Sequence, residues 1–146
     1  MSAAANTLIF EEIQDTLGLV PTWVAQVPEA ALPSLWATMR DFYLAETAIP
    51  NKYKELIGVA VSGATRCRYC ALFHTESARL YGATDEEIAE AGYMGSFTML
   101  ASTFINAAQV DYDRFKRETL DIVKYVRAQQ DHTTNGHRAE GRQAHV

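Results

Sequence analysis

Basic charge is scarce in this chain. Its 13 lysines and arginines are outnumbered by 18 aspartates and glutamates, leaving a formal charge of −5 at neutral pH. Binders of nucleic acid or of anionic membranes draw affinity from clustered Lys and Arg, so neither partner is expected. A long apolar run is also missing. The longest uncharged stretch, 91–110, has the length of a membrane span, yet Ser96, Ser102, Asn106 and Gln109 make it too polar for lipid. It reads instead as a helix buried against other helices. The start, Met1-Ser2-Ala3-Ala4-Ala5, lacks the basic and apolar regions of a secretory signal. A cytoplasmic protein is therefore expected. Only two cysteines occur, and in a reducing compartment a structural staple is not expected from them. Their meaning must come from their spacing.

What is present reads as helix from end to end. With 146 residues, 48% of them hydrophobic, the chain has enough material for one all-α domain, a bundle of about six to seven helices. Spacings of three and four recur, and strict alternation is rare. Leu8, Ile9, Ile13 and Leu17 stripe a first helix closed by Gly18. Pro21, Pro28 and Pro33 then cut the chain into short pieces, and Pro33 opens a helix carrying Leu35, Trp36, Met39, Phe42 and Tyr43. Pro50 opens the next helix. Thr65 is read as the N-cap of a helix over 66–81, with Gly82 as its left-handed terminator. Thr84 and Glu87 form a capping box for a helix over 85–93, and Ser96 is read as the cap of a separate uncharged helix. Tyr112, Phe115, Ile122, Val123 and Val126 stripe the last helix. The helical domain is expected to span 1–130. Residues 131–146 hold only Ala139, Ala144 and Val146 as apolar side chains, too few to offset ordering entropy, so a disordered polar tail is expected there.

The chemistry concentrates between Glu55 and His74. On a helix starting near Arg66, Cys67, Cys70 and His74 fall three and four residues apart and share one face. A first-turn thiolate is favoured by the helix dipole and free backbone N–H groups, and Arg66 and Arg68 add positive charge. A cysteine and a histidine four apart can share a proton, the minimum arrangement for an activated thiol. The other histidines, His132, His137 and His145, all fall in the expected tail. Glu55 sits among Leu56, Ile57, Val59 and Ala60; if a tight turn folds its helix onto the cysteines, the carboxylate faces the thiols. Otherwise it is a solvated first-turn acid. Trp23, Trp36, Phe42, Phe73 and Phe97 are candidates for an apolar pocket or, more simply, for the core.

These residues resemble the carboxymuconolactone decarboxylase superfamily, and within it the alkylhydroperoxidase D-like branch. That branch carries a glutamate, eleven residues, two cysteines separated by two residues, and a histidine four past the second cysteine. Here those positions are Glu55, Cys67, Cys70 and His74. The resemblance covers roughly 51–110. It implies a helical bundle assembled into trimers or hexamers and a thiol peroxidase that needs no cofactor. On that likeness Cys70 attacks the peroxide, and Cys67, taken as the more exposed sulfur, resolves the sulfenic acid as a Cys67–Cys70 disulfide. A dithiol or protein donor then restores both thiols. Glu55, through His74 or a water, takes the thiol proton. One departure concerns Tyr69, which stands where the founding member has histidine. An ordinary phenol stays protonated at neutral pH, leaving Tyr69 a hydrogen bond to a peroxide oxygen as its auxiliary role.

Other readings come from the same residues. A redox sensor or disulfide oxidoreductase would use the cysteine pair without peroxide. The decarboxylase branch shares the implied fold but lacks the pair. A zinc site built from Cys67, Cys70, His74 and Glu55 would need three ligands from one regular helix, which makes tetrahedral closure awkward. No metal is expected.

Overall fold

The computed structural model describes the backbone of residues 3–143 and the side chains of residues 6–130. Among the described residues the secondary structure is wholly helical. Seven α-helices follow one another, α1 (Ala3–Leu17), α2 (Thr22–Ala25), α3 (Leu32–Thr38), α4 (Asn51–Thr65), α5 (Arg68–Leu80), α6 (Asp85–Ala107) and α7 (Tyr112–Gln143). A π-helical segment, Met39–Leu44, continues α3. Contacts divide the chain into two units, Met1–Met99 and Leu100–Val146. No helix searched is long and apolar enough to cross a membrane. The side chains of the tail expected over 131–146 lie outside the described residues.

The first unit holds the core. Ile13 of α1, Val24 of α2 and Leu32 and Trp36 of α3 are buried together, with Ile9, Phe10, Leu17 and Met39 packed around them. Gly18 ends α1 at φ +79° and donates its N–H to Gln14, the left-handed stop its position implied. Pro33 lies in the first turn of α3, and Pro50 is the N-cap of α4. Arg40 of the π-helical segment pairs with Glu12 of α1 at 3.0 Å, tying the segment back to the first helix.

Three expectations about helix ends meet different outcomes. The Thr84–Glu87 capping box forms reciprocally at 2.8 and 3.1 Å. Glu87 also binds Lys52 of α4, which holds its carboxyl below the ordinary carboxylate range. Thr65 is not an N-cap. It closes α4 while its hydroxyl bonds the carbonyl of Val61 at 2.9 Å. The helix over 85–93 does not stop at Tyr93 either. It continues to Ala107, and Ser96 lies inside it with its hydroxyl on the Gly92 carbonyl. Gly95 is glycine for want of space, since a Cβ there would lie 2.5 Å from the Ala60 carbonyl oxygen of α4.

The uncharged stretch 91–110 is likewise not buried within the chain. No residue of α6 is buried, and Tyr93, Leu100 and Phe104 are about 70% exposed. The aromatic set is divided: Trp36 is core, whereas Trp23, Phe42, Phe73 and Phe97 are each more than half exposed.

Candidate active site

The site is made by the hairpin of α4 and α5. Arg66 ends α4 in the left-handed conformation, φ +57°, and its N–H returns to Gly63. The next residue, Cys67, is extended, and its N–H reaches back to Ser62 at 3.0 Å. Two residues thus reverse the chain. A non-glycine residue in that region is uncommon and costs of order 1 kcal/mol. Cys67 is therefore the N-cap of α5, not a residue of its first turn. Its sulfur does what a capping oxygen does elsewhere, accepting the Cys70 amide at 3.2 Å. The two sulfurs are bonded to each other, with Cα atoms 5.4 Å apart. Their exposure is the reverse of the sequence-based expectation: Cys67 is half-buried under the turn and Cys70 is exposed.

His74 stands one helical turn beyond Cys70 on α5, where side chains four apart are neighbours. Across the hairpin, Glu55 of α4 is 2% exposed, so it is no solvated first-turn acid. Its Oε2 lies 2.7 Å from His74 Nδ1. A carboxylate only accepts, so Nδ1 is the donor in this hydrogen bond. The imidazole also rests on Gly58: a Cβ there would overlap the ring, with Cε1 only 2.6 Å away. Phe73 meets the ring edge-on at a centroid distance of 5.5 Å. Three features on two helices therefore fix one side chain.

Sequence reasoning missed Tyr43. It had been placed on the apolar stripe of the helix opened by Pro33, but the π-helical segment turns it toward the hairpin. Its hydroxyl donates to Glu55 Oε1 at 2.5 Å and stays 3.5 Å from His74 Nδ1. Burial, and next the carboxylate that accepts its proton, push the phenol above its ordinary range. No local signal marks it, because twelve residues separate it from Glu55 and a π-helical turn has no hydrophobic period of its own.

Tyr69 is 72% exposed. Its hydroxyl accepts from Arg68 at 3.0 Å, and the Arg68 guanidinium lies 4.9 Å from its ring centroid. Arg68 is thus the partner of the Tyr69 hydroxyl. Among the described residues no group of three or more His, Cys, Asp or Glu side chains is placed to hold a metal ion.

Comparison with known proteins supplies the context for this arrangement. The fold is similar to the crystal structure of the alkylhydroperoxidase AhpD core from Rhodospirillum rubrum, with a TM-score of 0.64 and 27% identity. That match covers 78% of this chain and 91% of the other. A structural-genomics protein from Methanobacterium thermoautotrophicum matches at a TM-score of 0.51 and 30% identity, over 60% of this chain and 97% of its own. An uncharacterized protein of the cox locus of Paracoccus denitrificans is 30% identical over 78 residues, 53% of this chain and 70% of that protein. The model of the carboxymuconolactone decarboxylase family matches residues 30–110, taking in Tyr43 as well as the cysteine hairpin. The chain belongs to the carboxymuconolactone decarboxylase family, on its alkylhydroperoxidase D-like side.

Proposed function

We propose that the protein is a thiol-dependent peroxidase that reduces alkyl hydroperoxides and related peroxides in the cytoplasm. Cys67 and Cys70 supply two electrons, and a dithiol or a protein donor restores them. The observation that carries the reading is the cysteine pair opening α5 with His74 one turn on, its imidazole held by buried Glu55 across the hairpin. Glu55 orients His74, and Nε2 takes the thiol proton, the logic of a nucleophile–base–orienter triad. A disulfide oxidoreductase is the second reading. It is favoured by Cys67 at a helix N-cap, where the Cys70 amide stabilises a departing thiolate.

Thiol titration before and after one equivalent of peroxide tests the proposal. The fully reduced protein is expected to lose both thiols, with mass spectrometry locating an intramolecular Cys67–Cys70 disulfide. Retention of both free thiols removes the peroxidase reading. Steady-state turnover of peroxide with a dithiol separates it from a sensor or an exchange enzyme.

The same reading includes a homo-oligomer, a trimer or a hexamer. Tyr93, Met94 and Phe97 of α6 are all more than half exposed, next to Leu100 and Phe104. Apolar surface of that continuity marks interfaces far more often than free surface. Light scattering at micromolar concentration is expected to give a multiple of the 16.2 kDa chain mass. A monomeric mass ends this part of the proposal.

A further inference from the structure

We propose that Tyr43 is a positioning residue of the site: its phenol, presented by a clasped π-helical segment, holds one oxygen of Glu55 so that the other faces His74. The inference rests on the dithiol reading above and adds a residue to it. Glu55 is a fully buried carboxylate, and such a group must find its donors inside the protein. Among the described residues it has two, one per oxygen: the Tyr43 hydroxyl on Oε1 and His74 Nδ1 on Oε2. Without the phenol, Oε1 loses its partner, and the carboxylate is free to turn away from the imidazole. That turn costs His74 its orientation.

The fold invests in placing this hydroxyl. The first turn of α4 closes over the C-terminal end of the π-helical segment, where carbonyls lack partners in the helix. Asn51 Nδ2 donates to Leu44 O at 2.9 Å, and Lys54 Nζ donates to Phe42 O and Ala45 O at 2.7 and 2.6 Å. A cation at a helix C-terminus is the favourable sign for its dipole. Asn51, Lys54 and Glu55 therefore grip one short segment, the first two by its backbone and the third by the Tyr43 side chain. Wide helical turns of this kind recur at functional sites.

A double-mutant cycle tests the role, using Tyr43→Phe, Glu55→Gln and the pair, each on the full chain. Two rates are measured on the reduced protein: peroxide-dependent thiol loss and alkylation by iodoacetamide. Tyr43→Phe is expected to slow both by about tenfold, the effect of one charge-assisted hydrogen bond. The KM for peroxide stays within about twofold, since the phenol touches no substrate. In the Glu55→Gln background the same change alters either rate by less than about twofold, because no anion remains to hold. An equal loss in both backgrounds, or none in the wild type, overturns the inference. If the wild type oxidises no thiol with peroxide, the peroxidase reading falls, while the alkylation arm still decides Tyr43.

Discussion

Cys70→Ser is expected to abolish peroxide-dependent oxidation, whereas Cys67→Ser consumes one equivalent of peroxide and stalls as a sulfenic acid on Cys70. Both variants are mild for the fold. Serine is among the best N-cap residues, so Ser at position 67 still accepts the position 70 amide and keeps α5 closed. Position 70 is exposed, and serine there leaves no cavity. Loss of activity is thus read as loss of a sulfur. Trapping with a sulfenic-acid reagent, followed by mass spectrometry, checks the assignment. Sulfenic acid found mainly on Cys67 reverses it.

The two sulfurs occupy unlike places, and the difference divides the chemistry between them. Cys70 is exposed and stands one turn before His74, where under the proposed reading an incoming peroxide meets it beside the base. In that proposed reaction the Cys70 thiolate would attack the O–O bond, giving Cys70 sulfenic acid and, after protonation, an alcohol. Cys67 would then displace hydroxide from that sulfur, which leaves as water with one proton, and the disulfide would form. For the second step the useful property is a ready thiolate. The Cys70 amide and the N-terminal dipole of α5 supply it by stabilising negative charge on the Cys67 sulfur. Helix electrostatics alone favour Cys67 as the nucleophile, whereas the family likeness assigns the attack to Cys70. We follow the likeness, because Cys70 is the cysteine within helical reach of His74.

Much of the helical scaffold was legible because local rules decide it. Gly18, Pro33, Pro50, Gly82 and the Thr84–Glu87 box each act within one turn of themselves, and each stands where those rules put it. The errors fall where a distant neighbour or a backbone cost overrules the local signal. Thr65 reads as the cap that opens the cysteine helix, yet it ends α4, and the reversal comes at Arg66, whose side chain advertises no left-handed conformation. Gly92, Gly95 and Ser96 look like a break in a helix, yet Gly95 is there to let the Ala60 carbonyl pass. Within the candidate site, the spacing of Cys67, Cys70 and His74 on one element was readable. The likeness to a family, not the local pattern, brought Glu55 to them. Tyr43 needed the folded chain.

Gly58→Ala is expected to cost about 10²-fold or more in the rate of thiol oxidation while lowering stability only modestly, because the buried Glu55 carboxylate left without its imidazole offsets the gain in helix propensity. The glycine lies well inside α4, where alanine is the better helix former by about 1 kcal/mol. On propensity alone the change is favourable. The obstacle is His74, whose Cε1 would lie 2.6 Å from the new Cβ, with two ring atoms nearer still. Real Cβ atoms do not tolerate such an approach, and the three nearest atoms all belong to the imidazole, so the ring must move. Once displaced, its Nδ1 leaves Glu55 Oε2, and the base loses its orientation toward Cys70. Loss of a general base typically costs about 10²–10⁴-fold, which sets the size of the effect. Thermal melting and peroxide-dependent thiol loss, measured on the same sample, separate the two consequences. A variant that melts no more than a few degrees below the wild type, and is folded at the assay temperature, but oxidises slowly is the expected result. A Gly58→Ala protein with the wild-type rate means that the imidazole does not need its seat on α4.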